Sequence, residues 1–383
     1  MKKPLALLLL FLLGLSLAVL AACDDATPEH VHEYTLECTV LEDEHLVRLS
    51  YDCECGDSAV SSLTVELTGR TGVAETVQPD EDGIADCSAF DGEFSVEILL
   101  GDTVLYETSA VFAPVDYYKP VDGYEYTEGD EIIKIEYYSS VAGAYKHANV
   151  ILPPEYDPEK DYPVLYLLHG LQCDEDAWTE GVSGFAMGAQ YTVQNAHYFG
   201  GVPEMIVVCV NSLVNATETE PEWTMFPPSA PPELAATYDL TGRDIVECLM
   251  PYVNGHYSTL TGKDNTAIAG FSMGGREALL TAFAYQDVFG YVGAFSSASF
   301  GENVISSSDY VPDFALDEDS DGFRYVQITV SSWDTLFKVS ANIHEKLDAI
   351  GVEHTYEVKS ALIGHSPSVW RPALNTFVHN IFV

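Results

Sequence analysis

Apolar and polar positions follow different patterns in the two parts of this chain. Residues 33–115 consist of short segments in which apolar and polar residues alternate, such as residues 46–51 and 63–67, separated by Gly and Asp clusters. Alternation with a period of two is typical of strands that bury one face. This part is therefore predicted to be a small β-sandwich-like domain. Carbohydrate binding, spacing from a membrane and packing on the rest of the chain all remain open as its role.

Residues 116–383 combine nearly continuous apolar segments with amphipathic ones. The apolar segments predict strands at residues 145–153, 162–169, 204–210, 266–270, 291–296, 325–330 and 354–358. Residues 243–253 and 336–350 predict helices, and Gly351 is the expected C-terminal stop of the second. Continuous apolar strands are typical of a sheet that is buried on both faces. The pattern predicts an α/β fold with a mainly parallel sheet and helices on both sides.

The first 22 residues have the pattern of a signal peptide. Lys2 and Lys3 precede an apolar run over residues 5–20 that is too short and wrongly flanked for a membrane span. The run ends in Leu-Ala-Ala-Cys, which resembles a bacterial lipobox, so we expect cleavage before Cys23, a lipid on Cys23 and an acidic tether over residues 23–32. The alternative is an ordinary secretory signal with an incidental cysteine. Either predicts export to the cell surface or periplasm. Under the lipobox interpretation, the lipid on Cys23 is the only membrane anchor.

The chain is strongly acidic. Its formal net charge is −44, and loss of Lys2 and Lys3 without any acidic residue lowers it by two, to −46. This charge opposes binding to nucleic acid or to anionic lipid surfaces, and it disfavours strongly anionic substrates. Neutral polysaccharides and small esters remain compatible with it.

Cysteines and possible metal ligands give weaker signals. Four cysteines of the first domain would permit two disulfides after export, with the pairing open: Cys38, Cys53, Cys55 and Cys87. His30 and His32 could join two of them around a metal, but the spacing is not that of a zinc finger. Residues 317–322 resemble the opening of a calcium loop, yet Ile328 occupies the position that requires a glutamate. From these residues we expect no metal site.

The segment Gly-Phe-Ser-Met-Gly-Gly at residues 270–275 carries the strongest chemical signal. It lies between an apolar strand and a helical segment, which is the context of the nucleophile elbow of serine hydrolases. Gly270 and Gly274 give the sharp turn the space that it needs, and the turn places the hydroxyl at the positive end of a helix. Ser272 is therefore the predicted nucleophile.

A serine hydroxyl needs a base and an acid that orients the base. In this fold class both follow the serine, the acid first. Among the four later histidines (His344, His354, His365 and His379), His365 alone lies in a loop just past the carboxyl end of a strand. Asp334 follows the preceding strand within four residues and is the predicted acid, with Asp313 or another loop acid as the alternative. The backbone amides of Leu171 and Met273 are the predicted oxyanion hole.

With these residues placed, residues 120–383 resemble the esterase family that includes feruloyl esterases and acetylxylan esterases, with esterase D and the mycolyltransferases of the antigen 85 type among its relatives. The matching stretches are YPVLYLLHG (162–170), Glu175 and Trp178 just after it, PYVNGHY (251–257), AIAGFSMGG (267–275) and GHSPSVW (364–370). Ser272, Asp334 and His365 fall where that family carries its triad. The segment before the acid, Ser-Ser-Trp-Asp, lacks the glycine that many relatives have there.

The resemblance implies an α/β-hydrolase fold and hydrolysis of carboxylic esters through an acyl-enzyme, without metal or organic cofactor. Together with export, it favours acetyl or feruloyl groups on xylan-type polysaccharide as substrate. Trp178, Trp223 and Trp370 could stack on a sugar or ferulate ring, or could be buried in the core. Two alternatives stay open: an acyltransferase of the same fold that uses a sugar acceptor, and a surface binding protein with an inactive hydrolase domain.

Overall fold

The computed structural model describes residues 16–18, 33–41, 46–53, 58–69, 74–87, 92–112, 117–118, 132–154, 156–200, 202–222, 232–299, 314–318, 320–360 and 364–383. The chain divides into two compact units, Met1–Val115 and Asp116–Val383. Each unit has its own apolar core, and each is described by itself.

The first unit contains two four-stranded antiparallel sheets. One has the order β1-β2-β3-β6, formed by β1 (Ser16–Ala18), β2 (Glu33–Leu41), β3 (Leu46–Cys53) and β6 (Ile84–Asp86). The other has the order β5-β4-β7-β8, formed by β5 (Ala74–Val77), β4 (Leu63–Gly69), β7 (Gly92–Leu100) and β8 (Thr103–Phe112). Val47 and Leu49 of one sheet share a core with Val65 and Val96 of the other. The alternating pattern thus forms a two-layered all-β unit.

Strand β1 lies within the predicted signal peptide. In the uncleaved chain, Ser16–Ala18 pair with residues 33–35 at the edge of the first sheet. An edge strand offers unpaired backbone groups, and these three residues satisfy some of those of β2. The tether, Cys23 and the proposed ligands His30, His32 and Cys55 lie outside the described residues.

Cys38 and Cys87 of the first unit are free thiols. Burial raises the pKa of each to about 12, so both are protonated at neutral pH. Neither forms one of the disulfides that export would permit.

The second unit is built on an eight-stranded sheet with the order β9-β10-β12-β11-β13-β14-β15-β16. Strands β9 and β10 are antiparallel to their neighbours, and the other strands are parallel to one another. The strands are β9 (Ile133–Ser139), β10 (Ala144–Ile151), β11 (Val164–Leu168), β12 (Ile206–Val210), β13 (Thr266–Phe271), β14 (Tyr291–Phe295), β15 (Tyr325–Ser331) and β16 (Thr355–Lys359). The predicted strands are present with small shifts at their ends.

Strand β9 is the one strand of this sheet that the sequence analysis does not include. Its side chains alternate between partly or fully exposed and buried, with Ile135, Tyr137 and Ser139 buried. A half-exposed edge strand has this period-two pattern, whereas the strands in the middle of the sheet are apolar throughout.

Helices cover both faces of the large sheet. They are α1 (Ala189–Gly200), α2 (Pro232–Asp239), α3 (Thr241–Asp244), α4 (Met250–His256), α5 (Met273–Ala284), α6 (Phe337–Ala349) and α7 (Pro367–Val378), with a π-helical turn at Ile245–Leu249 that joins α3 to α4. The core on one face contains residues of α4, α5 and α6, and the core on the other contains residues of α1 and α7. Alternate residues of the strands contribute to each, such as Tyr166 and Leu167.

The end of α6 is built as the sequence predicts. Gly351 follows the helix with φ of +76°, a conformation that costs glycine little. Its amide donates to the carbonyl of Asp348, and the amide of Val352 donates to that of Leu347. Within the described ranges, no helix combines the length and the apolar character needed to span a bilayer.

Candidate active site

Ser272 lies at the sharp turn between β13 and α5. Its φ of 56° and ψ of −117° place a residue with a side chain in a conformation that favours glycine. A Cβ atom on Gly270 would lie 2.4 Å from the backbone of Gly274, and one on Gly274 would lie 2.2 Å from the carbonyl oxygen of Leu168. Both distances are too short for any side chain, so the turn requires glycine at both positions.

The structure brings Ser272, His365 and Asp334 together. Nε2 of His365 lies 3.0 Å from Oγ of Ser272, and Nδ1 lies 3.1 Å from each carboxylate oxygen of Asp334. Because a carboxylate can only accept, Nδ1 carries the ring proton and donates it to Asp334. Nε2 is then the acceptor for the serine hydroxyl. This is the arrangement of a nucleophile, a base and an orienting acid.

Asp334 is held in the turn that follows β15. Its side chain is fully buried, and Oδ1 accepts a hydrogen bond of 2.8 Å from the amide of Leu336. Burial of the carboxylate against the ring nitrogen fixes the orientation of His365, whose side chain is 31% exposed. The alternative acid Asp313 lies outside the described residues.

Gly364 allows the loop that carries His365 to lie close to the turn that carries Asp334. The sequence alone did not indicate this role. A Cβ atom at this position would lie 2.2 Å from the carbonyl oxygen of Trp333 and 2.4 Å from the amide nitrogen of Asp334. The loop can come this close because glycine has no side chain. The signal in the sequence is a glycine directly before the predicted base.

The two predicted oxyanion donors lie on neighbouring elements. Leu171 follows β11 and Met273 is the first residue of α5, and their side chains contribute to one apolar cluster with Leu213 and Ala298. In the described part of the chain neither amide donates to another protein group. Because Met273 begins a helix, its amide points out of the positive helix end, where an anionic oxygen is stabilised.

His169 fixes the loop that carries Leu171. Its Nε2 accepts a hydrogen bond of 3.0 Å from the amide of Ser212, so Nδ1 carries the proton and donates to the carbonyl oxygen of Gly170 at 2.7 Å. Complete burial lowers the pKa of His169, which keeps the ring neutral. The role of this histidine is therefore structural.

Two of the three candidate tryptophans are too deeply buried for a substrate to stack on them. Trp178 and Trp370 are 1% and 3% exposed, and both contact Phe271, the residue before the nucleophile. The prediction that these two rings bind substrate is therefore wrong, because both are part of the core. The third candidate, Trp223, lies outside the described residues.

The two buried rings of Trp178 and Trp370 pack against residues that carry the site. Trp370 stacks on Phe271 at 4.3 Å and contacts the His365 ring edge-on at 5.1 Å. Trp178 donates from Nε1 to the carbonyl oxygen of Leu168, at the start of the loop that carries Leu171. Phe271 is thus held between two indoles, which fixes the position of the elbow.

Trp333, which the sequence analysis quotes only as part of the acid segment, is 71% exposed. It directly precedes Asp334, so a large exposed ring lies on the turn of the acid.

Cys173 near the site is a protonated thiol, because burial raises its pKa to about 12. It is therefore not a competing nucleophile.

Two buried ionic clusters lie near this end of the sheet. Arg276 of α5 pairs with Glu277 and with Asp239, and burial raises the pKa of Glu277 to about 7. Lys146 is completely buried, and its Nζ donates to Asp244 at 2.8 Å and to the carbonyl oxygen of Asn211 at 2.7 Å. Each cation compensates a carboxylate that has no access to water.

Comparisons with known proteins agree with this geometry. The family model Esterase, described as "Putative esterase", matches residues 139–381. A CE1 ferulic acid esterase of the anaerobic fungus Anaeromyces mucronatus is 31% identical, with a TM-score of 0.57 over 70% of this chain and 96% of that one. The same enzyme has been solved in complex with ferulic acid, at 30% identity and the same TM-score and coverage.

A curated relative is an endo-1,4-beta-xylanase/feruloyl esterase of Xylanibacter ruminicola, 29% identical over 175 residues. That match covers 44% of this chain and 22% of the relative, so the matched region is about a fifth of the relative's length. The family match spans more than half of the chain and includes all three residues of the triad. The chain therefore belongs to this esterase family and is a carboxylic ester hydrolase with the α/β-hydrolase fold.

Proposed function

We propose that this chain hydrolyses carboxylic esters through an acyl-enzyme formed on Ser272. Oγ of Ser272 bonds to the ester carbonyl carbon while Nε2 of His365 takes the hydroxyl proton. Asp334 accepts from Nδ1 and stabilises the charged ring. The carbonyl oxygen becomes negative and accepts hydrogen bonds from the amides of Leu171 and Met273, each worth about 3 kcal/mol in the transition state.

Three further proton transfers complete the cycle. The bond to the alcohol breaks, and the alcohol leaves with the proton held on His365. A water molecule then gives a proton to the same nitrogen and attacks the acyl group on Ser272. The bond between the acyl carbon and Oγ of Ser272 then breaks, His365 returns its proton to Oγ, and the acid is released. The observation that carries this proposal is the unbroken chain of short contacts from Ser272 through His365 to Asp334.

The nucleophile is tested with Ser272→Ala and a matched control. Removal of Oγ is expected to reduce kcat on p-nitrophenyl acetate by at least about 10⁴-fold. Ser340→Ala removes another buried serine hydroxyl, on α6, and should leave kcat unchanged. Intact-mass analysis of the wild type during turnover of a feruloyl ester should show one feruloyl group added to the chain. Equal rates for wild type and Ser272→Ala would exclude this mechanism.

The substrate class we favour is an acetyl or feruloyl ester of xylan-type polysaccharide. The relatives described as feruloyl and ferulic acid esterases support the acyl group, and one of them is also described as a xylanase. The negative charge of −44 is compatible with a neutral polysaccharide.

Product analysis distinguishes the candidate substrates. The enzyme is incubated with acetylated and with feruloylated xylan, and the released acids are identified by mass spectrometry. We expect release of at least one of the two acids. Release of neither would reject the polysaccharide substrate without affecting the ester chemistry on p-nitrophenyl acetate. Addition of free sugars tests for transfer, because an acyltransferase would yield acylated sugar in excess over free acid.

The proposed location is outside the cytoplasm, with a lipid on Cys23 as the membrane anchor. The support is the signal-like pattern of residues 1–22 and the Leu-Ala-Ala-Cys sequence that ends it. Expressed with its signal, the wild type should partition into the detergent phase of a Triton X-114 extract. Cys23→Ser should stay in the aqueous phase with unchanged esterase activity. Identical partitioning of the two proteins would reject lipidation.

A further inference from the structure

A cluster of three potential metal ligands lies apart from the triad. His344 and Asp348 are one turn apart on α6, so they lie on the same face of the helix. His354 immediately precedes β16. One ligand atom from each residue can be chosen so that all three lie within 4.8 Å of one another. None of the three belongs to the catalytic mechanism.

The two rings are oriented before any ion binds. Nδ1 of His354 lies 2.8 Å from the carbonyl oxygen of Val352 and donates to it, which leaves the lone pair of Nε2 directed at His344. This Nε2 lies 2.7 Å from Nδ1 of His344. The ring of His344 is stacked on Tyr356 at 4.4 Å. A histidine whose second nitrogen donates to a backbone carbonyl is the usual form of a metal ligand, because that bond fixes the tautomer and the ring plane.

The third ligand is close enough to complete the set. One ligand atom of each of the three residues lies within 4.8 Å of the others. A carboxylate oxygen of Asp348 lies 3.7 Å from Nε2 of His344, the ring nitrogen that does not contact His354. Ligand atoms around a tetrahedral Zn²⁺ are roughly 3.4 Å apart when each bond is about 2.1 Å. The two imidazole nitrogens therefore separate by somewhat less than 1 Å on binding, and their mutual hydrogen bond is replaced by two bonds to the ion.

We propose that His344, Asp348 and His354 form a site for Zn²⁺ or a similar divalent transition metal. Two imidazoles and one carboxylate suit zinc, cobalt, nickel or copper and do not suit calcium or magnesium, which prefer oxygen ligands. Asp348 is exposed and the two rings are partly exposed, so the ion keeps one position open to water. Without an ion, Nδ1 of His344 carries the proton of its contact with Nε2 of His354. Binding through Nδ1 therefore changes the tautomer of His344: Nδ1 gives its proton to solvent and Nε2 takes one up, so the ring stays neutral.

The topology assigns this site a structural role. The triad residues follow the carboxyl ends of strands, whereas His354 lies at the start of β16, at the opposite edge of the sheet. Strand β16 is an edge strand that pairs with β15 alone in the sheet order. An ion held by α6 and by the residue before β16 would fasten this strand to the helix beside it. It would not touch the reacting ester.

Zinc and cobalt binding to the mature chain test the proposal. Titration calorimetry with ZnCl₂ should show a site whose affinity falls at least about tenfold in His354→Asn and further in the double variant with His344→Asn. Co²⁺ should give the visible absorption of a cobalt site with nitrogen ligands in the wild type and not in the double variant. His256→Asn, an exposed histidine on α4, is the matched control and should bind as the wild type does. Zn²⁺ at about a hundred times its dissociation constant should raise Tm by roughly 5 °C.

A second measurement does not depend on the variants being folded. In nitrogen-edited spectra of the wild-type imidazoles, Zn²⁺ should shift the signals of His344 and His354 at one equivalent. Equal zinc affinity in the wild type and a folded double variant would overturn the proposal. A shift confined to other histidines would overturn it as well.

Discussion

Replacing Gly364 with alanine tests whether the contact between the His365 loop and the Asp334 turn sets the catalytic rate. The added Cβ would lie 2.2 Å from the carbonyl oxygen of Trp333, where Cβ contacts under 3.0 Å essentially do not occur. The two backbone segments must therefore move apart by roughly 0.8 Å. Since both partners are backbone, no side-chain rotation can relieve the clash.

The consequence for the triad follows from the distances. Nδ1 of His365 lies 3.1 Å from Asp334, so a displacement of this size takes the pair to about 3.9 Å, beyond the limit of a hydrogen bond. His365 then loses the partner that fixes its tautomer. Misplacement of a catalytic group by about 1 Å costs about 10²-fold in rate. We expect kcat to fall by about this factor, with little change in KM.

The assay is the steady-state hydrolysis of p-nitrophenyl acetate, together with a thermal unfolding curve for each variant. Gly255→Ala is the control, because a Cβ at this position in α4 meets no atom within 4 Å. Its kcat should equal that of the wild type, and the helix should gain up to about 1 kcal/mol. A folded Gly364→Ala variant that retains more than about a third of the wild-type kcat would refute the reasoning.

Three other variants address the buried groups. Lys146→Met leaves Asp244 buried without its cation and should lower the free energy of unfolding by about 3–5 kcal/mol in urea denaturation; a loss below about 1 kcal/mol would contradict the ion pair. The wild type should lose stability between pH 4.5 and about 7, because burial raises the pKa of Glu277 to about 7 and the folded chain keeps a proton that the unfolded chain has released. Relative to the wild type, Glu277→Gln should therefore be more stable at pH 8 than at pH 5 by up to about 3 kcal/mol, and parallel stability curves would reject this. Trp178→Ala should lower the unfolding free energy by about 3–5 kcal/mol while KM for feruloyl esters stays within about twofold, since the ring is 1% exposed; a raised KM with unchanged stability would restore it as a substrate contact.

Most of the large sheet could be predicted because its central strands are apolar throughout. Residues 164–168 and 206–210 are buried at every position, and such segments are visible without knowledge of their neighbours. Strand β9 was missed because half of its side chains are exposed and its pattern is that of an isolated edge strand. A search for continuous apolar segments finds the central strands. An edge strand such as β9 is found only by a separate search for alternating apolar and polar residues.

The triad could be placed from the sequence because the position of a residue relative to the strands indicates where it lies in the fold, even when the residues are far apart in the chain. Ser272 and His365 are 93 residues apart, yet both follow the carboxyl ends of parallel strands, which meet at one edge of the sheet. No comparable rule indicates whether a tryptophan side chain is buried in the core or exposed at the site. Trp178 and Trp370 proved to be buried, whereas among the tryptophans that the structure describes the exposed ring is that of Trp333. The roles of Gly364 and of His354 also depend on tertiary neighbours that spacing does not reveal.

The two buried tryptophans position the reacting groups of the site and do not contact the substrate. Trp370 contacts both Phe271 and His365, and Trp178 holds Phe271 and the start of the Leu171 loop. Through these contacts the core positions the nucleophile, the base and one oxyanion donor together. A change in this core should therefore act on kcat through the geometry of the reacting groups. We expect preference among acyl groups to depend on residues that an ester can reach, and the exposed Trp333 beside the acid is the first of these to test.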